Sequence, residues 1–443
     1  MTEIQDRPMS DRPSSGGSSS ALITRLAWSV GAAVAFLLLG HLRLPGLPGL
    51  PDGFGELGGG LANASLTTLG LAPFVAGFLV VELFSLIPIT DLRRSGLRGR
   101  RTMNRWALRL SMLIATVQAF TIVRVLEGMT LGDGFPLVDI DVWDRLLLGV
   151  SLVTGAAVVY LLGRWATAIG LGNGLCLLFL VGALPVGGPD GGIWIQSLLV
   201  LGVGAAAFCA LLVALEKRAE SYDVTSPAGV EHLTLPAFPQ SLLPVVWGLG
   251  LWNFPMAFGF GPLGERGSPL VFLALAAVVA LLSWLTVHLF STRRRLAAAL
   301  PPGVVPVDGF EAVLLRRLVP TSAFLVAMAL AMAAHVVFGS PNLILGVVQM
   351  AMVGAFALDL YGEWRFRRQH PRAEPLAELD NVHLAIYLRV ALDRAGVPCV
   401  IQARHFRSLF FFWQPLFKMA VLVPEDRLGD AQEVFDGLDA RNL

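Results

Sequence analysis

The chain contains ten apolar runs of roughly membrane-spanning length, and this feature constrains its fold most strongly. A helix of about 20 apolar residues crosses the hydrocarbon layer of a bilayer, where the backbone finds no water to bind. Only 15% of the residues are charged, whereas soluble domains carry about 25%. The sequence therefore predicts an all-α polytopic membrane protein and excludes an ordinary soluble enzyme. The runs lie at 21–40, 66–88, 105–128, 146–163, 170–187, 193–215, 241–260, 269–291, 318–338 and 342–362.

The positions of the arginines predict the orientation of these runs. Six arginines lie between residues 93 and 105, and the loops after the eighth and tenth runs are also basic. Residues 129–144, by contrast, contain four aspartates and neither lysine nor arginine. Because short cytoplasmic loops carry an excess of lysine and arginine, the even-numbered runs end in the cytoplasm. Both chain termini are then cytoplasmic as well.

The two ends of the chain differ from the apolar body. Residues 1–20 are polar and rich in serine, which predicts a disordered cytoplasmic tail. From about residue 374 the composition turns soluble, with helical spacing over 379–395 and over 426–438. Short β-branched runs at 397–403 and 419–423 read as strands. We therefore expect a small cytoplasmic α/β domain of ferredoxin-like type at 374–443.

Glycine interrupts the apolar pattern in two places. Residues 51–64 (PDGFGELGGGLANA) precede the second run, and they form either a flexible external loop or a half-helix that folds into the mouth of a pore. Residues 170–174 (GLGNG) open the fifth run, where a tight turn entering a helix satisfies the pattern. No strand precedes GLGNG, so it is not a dinucleotide-binding fingerprint.

Polar residues inside the apolar runs are costly and often functional. His288 and Asp359 lie within about a turn of the cytoplasmic run ends, which favours snorkelling or capping. Gln118 and Asn253 lie nearer mid-span, where a contact between helices is expected. A proton-coupled transporter would need acidic groups near the midplane of the membrane. Glu82 is about two turns from the inner face, so the sequence does not favour a transporter. The sequence predicts no catalytic residue, metal site or cofactor.

Several strings occur in an order that carries a family resemblance. They are LGLAPFVAGFLVVEL (69–83), GLRGRRTMNRW (96–106), GRWATAIGLGNG (163–174), VALEKR (213–218) and HLTLP to NFP (232–255). Together they resemble SecY, the channel subunit of the bacterial Sec preprotein translocase. The likeness covers residues 21–365, and it implies a ten-helix channel domain of two inverted halves in the bacterial cytoplasmic membrane.

The resemblance implies an hourglass channel with an apolar pore ring, a plug and a lateral gate. The ring positions fall on Leu71, Val75, Leu175, Phe179, Val246 and Leu345. All six are apolar, as ordinary core packing would also require. The plug corresponds to 51–64, with Asp52, Gly53, Phe54, Gly55, Gly58, Gly59, Gly60 and Leu61. The lateral gate falls on Ala76, Gln118, Asn253 and Phe254.

The cytoplasmic loops depart from the family pattern. The loop at 291–310 lacks the expected Asn-Pro, and Val305 stands where the family has an arginine at the loop tip. The basic docking residues that remain are Lys217, Arg218, Arg293, Arg294 and Arg295. The resemblance implies SecE-like and SecG-like subunits, membrane lipid and an unfolded preprotein as partners, with no direct contact to nucleic acid. It leaves coupling to a SecA motor or a ribosome open.

Two functions therefore remain from the sequence. One is a protein-conducting channel, and the other is a SecY paralogue without motor coupling that acts as a specialised or regulatory scaffold. Residues 376–438 also resemble a small bacterial domain assigned to signal transduction. Within them, LFFFW (409–413) is either an ordinary core strand or loop or a surface that docks on membrane or a partner.

Overall fold

Long apolar helices form most of the body of the protein. The computed structural model describes residues 18–42, 44–45, 65–84, 96–128, 141–183, 192–218, 221–226, 229–239, 241–242, 244–245, 248, 269–290, 293, 296–297, 300–301, 303–338, 343–379, 381–409, 416–417 and 419–439. The helices of the body are α1 Ser18–His41, α2 Ala72–Phe84, α3 Gly96–Gly128, α4 Val142–Ile169, α5 Gly174–Ala183, α6 Gly192–Lys217, α7 Pro269–Phe290, α8 Phe310–Phe338 and α9 Leu343–Gln369.

Nine of the ten apolar runs coincide with these helices. The seventh run, at 241–260, lies mostly outside the described residues. Two helices begin several residues after the start of their runs, because α2 starts at Ala72 and α5 at Gly174. By length and composition, four of the described helices are able to cross a membrane: Leu22–His41, Thr102–Arg124, Val142–Ile169 and Phe310–Ala331. A count of ten spans stays a prediction.

Glycines allow the helices of the body to pack closely. Lipid tails are as apolar as leucine, so helices in a membrane associate through close contact of small residues. A Cβ added to Gly77 of α2 would lie 2.7 Å from the backbone nitrogen of Ser111 on α3. The Ser111 hydroxyl donates to the Ala107 carbonyl at 2.7 Å, which leaves no unsatisfied polar group at this contact. Helices α2 and α3 can therefore approach each other closely at Gly77, where there is no side chain.

A small sheet joins two of the loops that follow the helices. Strands β1 Ser221–Ser226 and β2 Gly229–Thr234 form an antiparallel hairpin after α6, and β3 Val305–Pro306 pairs with β1. The strand order is β2-β1-β3. Tyr222 and Val224 alternate with exposed residues along β1 and are buried. The described strands of the predicted docking loops, after the sixth and eighth runs, thus belong to one sheet.

The described residues of the C-terminal segment, 373–439, form three strands and three helices. These are β4 Ala373–Leu379, α10 Val382–Arg394, β5 Val400–Ile401, α11 Arg404–Leu409, β6 Met419–Pro424 and α12 Leu428–Asp439, with a 3-10 turn at Glu425–Arg427. The sheet order is β4-β6-β5, and both pairs are antiparallel. The predicted strand at 397–403 is only two residues long, whereas β4 was not expected from the sequence. The domain boundary at 374 stays a prediction.

Removing the N-cap of α10 should weaken this helix measurably. The Asn381 carboxamide oxygen accepts from the backbone N–H of His383 at 2.8 Å and of Leu384 at 3.2 Å. Loss of such a cap costs about 1 kcal/mol, so Asn381→Ala should speed amide exchange in α10 about fivefold. Hydrogen–deuterium exchange measures this, with the exposed Gln432→Ala in α12 as the control. Unchanged protection of α10 would contradict the prediction.

Candidate functional site

Four of the six predicted ring residues lie in one hydrophobic cluster. Leu71 and Leu175 are 5% and 2% exposed, and Val75 and Phe179 pack against the same cluster while partly buried. Val246 and the side chain of Leu345 lie outside the described residues. The arrangement agrees with an apolar constriction and also with an ordinary core, so the ring role stays a prediction.

A tight turn positions Leu175 at the start of α5. Gly172 has φ +78, in the left-handed region that favours glycine. The Asn173 carboxamide oxygen accepts from the backbone N–H of Leu175 at 3.1 Å and of Cys176 at 3.2 Å, and so caps α5. Ser29 of α1 holds Leu171 through two hydrogen bonds, at 2.8 and 2.9 Å. The interpretation of GLGNG as a turn entering a helix is confirmed.

The predicted plug and part of the predicted gate fall outside the described residues. This applies to the whole of 51–64 and to Asn253 and Phe254. Ala76 and Gln118 are half-buried on α2 and α3, which pack against each other. Within the part of the chain that the structure describes, the Gln118 carboxamide oxygen is buried and accepts no hydrogen bond. The plug and gate assignments stay predictions.

The predicted docking residues differ in whether their side chains are exposed to solvent or paired within the protein. Lys217 and Arg218 are exposed at the end of α6. Arg293 is engaged within its own loop, where it donates to the Pro306 carbonyl at 2.9 Å and pairs with Asp308. Arg294 and Arg295 lie outside the described residues. Val305, at the expected loop tip, is part of β3.

The C-terminal segment packs into the end of the helical body, a contact that sequence reasoning did not assign. Phe406, Leu409, Leu416 and Phe417 are buried in the same cluster as the ring positions. The Phe417 ring stands edge-on to the Phe179 ring, with centroids 6.2 Å apart. The sequence left two interpretations of the apolar run 409–413: a core strand or loop, or a surface that docks on membrane or a partner. Leu409 is the described residue of that run, and it contacts the helical body together with Leu416 and Phe417, which follow the run.

Four polar side chains fasten this contact, and we call them the latch: Glu216, Asp359, Arg404 and His405. The Asp359 carboxylate on α9 accepts from the backbone N–H of His405 and Phe406, both at 2.9 Å, and from the His405 imidazole at 2.7 Å. Asp359 thus caps α11 from another helix, since the first N–H groups of a helix lack internal partners. On the other side, Glu216 pairs with His405 at 3.2 Å and Arg404 at 3.3 Å.

A buried carboxylate lies beside the latch. Glu363 on α9 is fully buried and accepts from the Gly172 N–H at 2.9 Å and from the Gln402 carboxamide at 2.7 Å. It also pairs with Arg367 at 2.7 Å, and Arg367 donates onward to the Ala373 carbonyl at 3.0 Å. One carboxylate therefore joins the turn before α5, the helix α9 and the C-terminal segment.

The charge on His405 should make the latch weaken at high pH. Burial alone would lower the pKa of the His405 imidazole, but the carboxylates of Asp359 and Glu216 raise it to about 9. A pKa raised above the unfolded value of about 6.5 gives stabilisation that is complete below that pH and lost as the pH rises through about 9. We expect amide exchange in α11, corrected for intrinsic rates, to accelerate over this range. The amides of α12 serve as the control, and parallel behaviour of the two helices would contradict the prediction.

The C-terminal segment also covers the β1–β2 hairpin. The Tyr222 hydroxyl lies 3.2 Å from Nδ1 of His383, and Arg394 pairs with the buried Glu231 at 3.0 Å. Burial lowers the pKa of the His383 imidazole to about 4, so this histidine is neutral at physiological pH. Tyr222, Leu233 and residues of α10 belong to one hydrophobic cluster. The segment thus contacts both the helical body and its folded loops.

Comparison with known sequences matches residues 65–347 to the family described as SecY. The chain is 26% identical over 361 residues to the protein translocase subunit SecY of Vibrio cholerae, covering 68% of this chain and 80% of that protein. It is 25% identical over 407 residues to SecY of Pseudomonas aeruginosa, covering 75% and 90%. For SecY of Rickettsia typhi the identity is 22% over 275 residues, and the chain spans 63% of that relative.

Two solved structures are similar to this chain. The idle yeast Ssh1 complex bound to the yeast 80S ribosome has a TM-score of 0.51 and 14% identity, covering 76% of this chain and 89% of that one. A structure describing the plug domain of SecY has a TM-score of 0.48 and 14% identity, covering 78% and 92%. At this identity the yeast likeness shows the fold alone.

Proposed function

The chain belongs to the SecY family, and from this membership we propose that it is a protein-conducting channel subunit. The observation that carries the proposal is the family match over residues 65–347, which spans about two-thirds of the chain. The relatives described above are all named as translocase subunits, which favours the channel over the scaffold alternative. The substrate would be an unfolded polypeptide that crosses the bilayer or enters it sideways.

The proposed mechanism is non-covalent. Side chains such as Leu71, Leu175 and Phe179 offer no hydrogen-bonding partner, so a small ion passing between them would lose hydration without compensation. A polypeptide fills the same constriction with its own side chains. A sufficiently apolar segment would leave through the gate into lipid, since each buried CH₂ contributes about 0.8 kcal/mol. The gate would include Ala76 and Gln118 on one side and Asn253 and Phe254 on the other.

The finer assignments form part of the same proposal. The arginine-rich loops favour a ten-span protein in the bacterial cytoplasmic membrane with both termini in the cytoplasm. The family resemblance favours SecE-like and SecG-like partner subunits, with residues 51–64 as the plug. A SecA motor or a ribosome would supply the energy from the cytoplasmic side. Lys217 and Arg218 are the exposed basic residues proposed to meet it.

Photo-crosslinking in cells tests the proposal directly. A photoreactive amino acid replaces Leu175 at the proposed ring, or Leu161 on α4, which is 56% exposed, as the matched control. We expect adducts with exported polypeptides at position 175 and not at position 161. Affinity purification of the same protein should recover a SecE-like subunit together with a motor or ribosomes. Absence of polypeptide adducts at position 175 in actively exporting cells would overturn the channel function.

A further inference from the structure

We propose that the C-terminal segment is a lid, which closes the end of the channel in cis and moves away before a polypeptide enters. The inference rests on the proposed channel function and concerns its regulation. Phe417 touches Phe179, which lies one turn further along α5 than Leu175. Leu416 and Gln402 line one small cavity together with Leu175 and Thr167. The lid therefore occupies space next to the proposed ring that a passing polypeptide needs.

The character of the contact suits a lid that opens. Permanent interfaces resemble a core cut in half, whereas interfaces that separate within a chain are more polar. Here the apolar contacts of Phe406 and Phe417 are accompanied by charged groups of the latch and by Glu363. Water would solvate each of these charges in the open state. The closed state is thus favoured without being irreversible.

The connection to the body suits a hinge. Helix α9 ends at Gln369 and β4 begins at Ala373, so only three residues separate the body from the lid. A short link preserves the register of the lid over the channel during opening. It also places the latch residue Asp359 and the buried Glu363 on the helix that carries the hinge.

A second contact links the lid to the folded loops. The pair of Arg394 with Glu231 and the contact of His383 with Tyr222 hold α10 against the β1–β2 hairpin. Any partner that binds the hairpin surface covered by α10 must first displace the lid. Partner binding and opening of the channel end would then be one event, because both require the same movement.

Thiol labelling of the full-length protein tests the closed position of the lid. Leu175→Cys serves as a reporter in a background in which the three native cysteines are serine. A membrane-impermeant maleimide should label it at least tenfold faster when His405→Ala and Phe417→Ala loosen the lid. Arg427→Ala is the control: among the described residues Arg427 pairs with Asp430 of the same segment, at 2.7 Å, so its removal should leave labelling unchanged. Equal labelling in the loosened and parent proteins would overturn the lid.

A reversible lock tests whether the lid must move. Cysteines replace Glu216 and His405, whose side chains lie 3.2 Å apart, and a reducible bifunctional maleimide joins them. We expect the lock to lower polypeptide adducts at a photoreactive position 175 at least tenfold, and a reductant to restore them. Adducts that persist in the locked protein would overturn the inference while leaving the channel function intact. Faster thiol labelling in the loosened variant without adducts in any variant would support the lid and refute the channel.

Discussion

Replacing Glu363 with leucine is expected to destabilise the junction between α5, α9 and the lid by about 3–5 kcal/mol. The side chain is fully buried, and its removal leaves Arg367, which is 5% exposed, with an uncompensated charge. The Gly172 N–H and the Gln402 carboxamide lose their acceptor at the same time. Both effects act in the same direction, which makes this the largest single-residue effect expected from a polar group here.

Amide exchange measures the effect locally, because it reports the opening of this junction separately from the unfolding of the rest of the protein. Amides in the turn before α5 and in α11 should exchange at least a hundredfold faster. The matched control is Asp393→Leu, because Arg389 and Asp393 also form an i, i+4 pair, at 3.6 Å, on the exposed side of α10. An exposed pair contributes about 0–1 kcal/mol, so exchange should change little.

A second substitution separates charge from packing. Adding Arg367→Met to Glu363→Leu replaces the buried pair with apolar side chains, which often recovers much of the lost stability. Gln402 and Gly172 remain without their acceptor, so recovery should be partial. If Glu363→Leu alone changed amide exchange as little as the exposed control Asp393→Leu does, the buried carboxylate would not stabilise the junction.

The helices were largely predictable because apolar runs leave a chain in lipid few alternatives. The exception at the start of α2 has a local cause. The Ser65 N–H donates to the Thr68 hydroxyl, and that hydroxyl donates to the Ser65 carbonyl, both at 2.8 Å. Such side-chain bonds compete with helical ones. A prediction from apolar residues alone does not take these hydroxyls into account, so it places the start of α2 too early in the chain.

Strand β4 shows why the C-terminal segment was harder to predict. Its sequence, AEPLAEL, contains no β-branched residue and includes Pro375. This strand is extended because it pairs with β6, where Glu374 lies opposite Val423. The register shifts at a bulge between Pro375 and Ala377. The pairing partner is distant in the chain, so local propensity carries no signal for it.

The candidate site was predictable in residue type and not in position. Asp359 was expected to cap or snorkel, and it does cap a helix, but α11 lies more than forty residues away in the chain. The run 409–413 left a core strand or loop and a docking surface as open alternatives, and its sequence did not indicate which elements it would contact. In both cases the missing information is the docking of the segment onto the body, which depends on long-range contacts. The ring, plug and gate came from family resemblance, and their roles still await the crosslinking test.

Replacing Gly155 of α4 with alanine is the second substitution expected to have a large effect. An added Cβ would overlap the Leu66 carbonyl oxygen and lie 2.8 Å from the carbonyl carbon and 3.2 Å from the Cα. These are backbone atoms, which cannot rotate away as the end of a side chain would. Overpacking typically costs about 1–3 kcal/mol, and we expect the upper end of this range.

Gly31→Ala on α1 is the matched control, because nothing lies within 4 Å of the Cβ it would add. Alanine favours a helix by up to about 1 kcal/mol over glycine, so this variant should be as stable as the parent or slightly more stable. Thermal unfolding of both variants in the same detergent compares them. Equal midpoints would show that α4 does not approach Leu66 as closely as the structure has it.

Because Leu66 is close to Leu71 in the chain, Gly155→Ala should also affect the proposed pore ring. The backbone N–H of Leu66 donates to the Leu42 carbonyl at 3.2 Å, and the turns that follow Leu66 lead directly to Leu71 at the proposed ring. A shift of Leu66 away from α4 should therefore displace Leu71 from the hydrophobic cluster. In the crosslinking experiment, Gly155→Ala should lower polypeptide adducts at a photoreactive position 71 relative to Gly31→Ala. Unchanged adducts together with lowered stability would show that the turns absorb the shift before it reaches the ring.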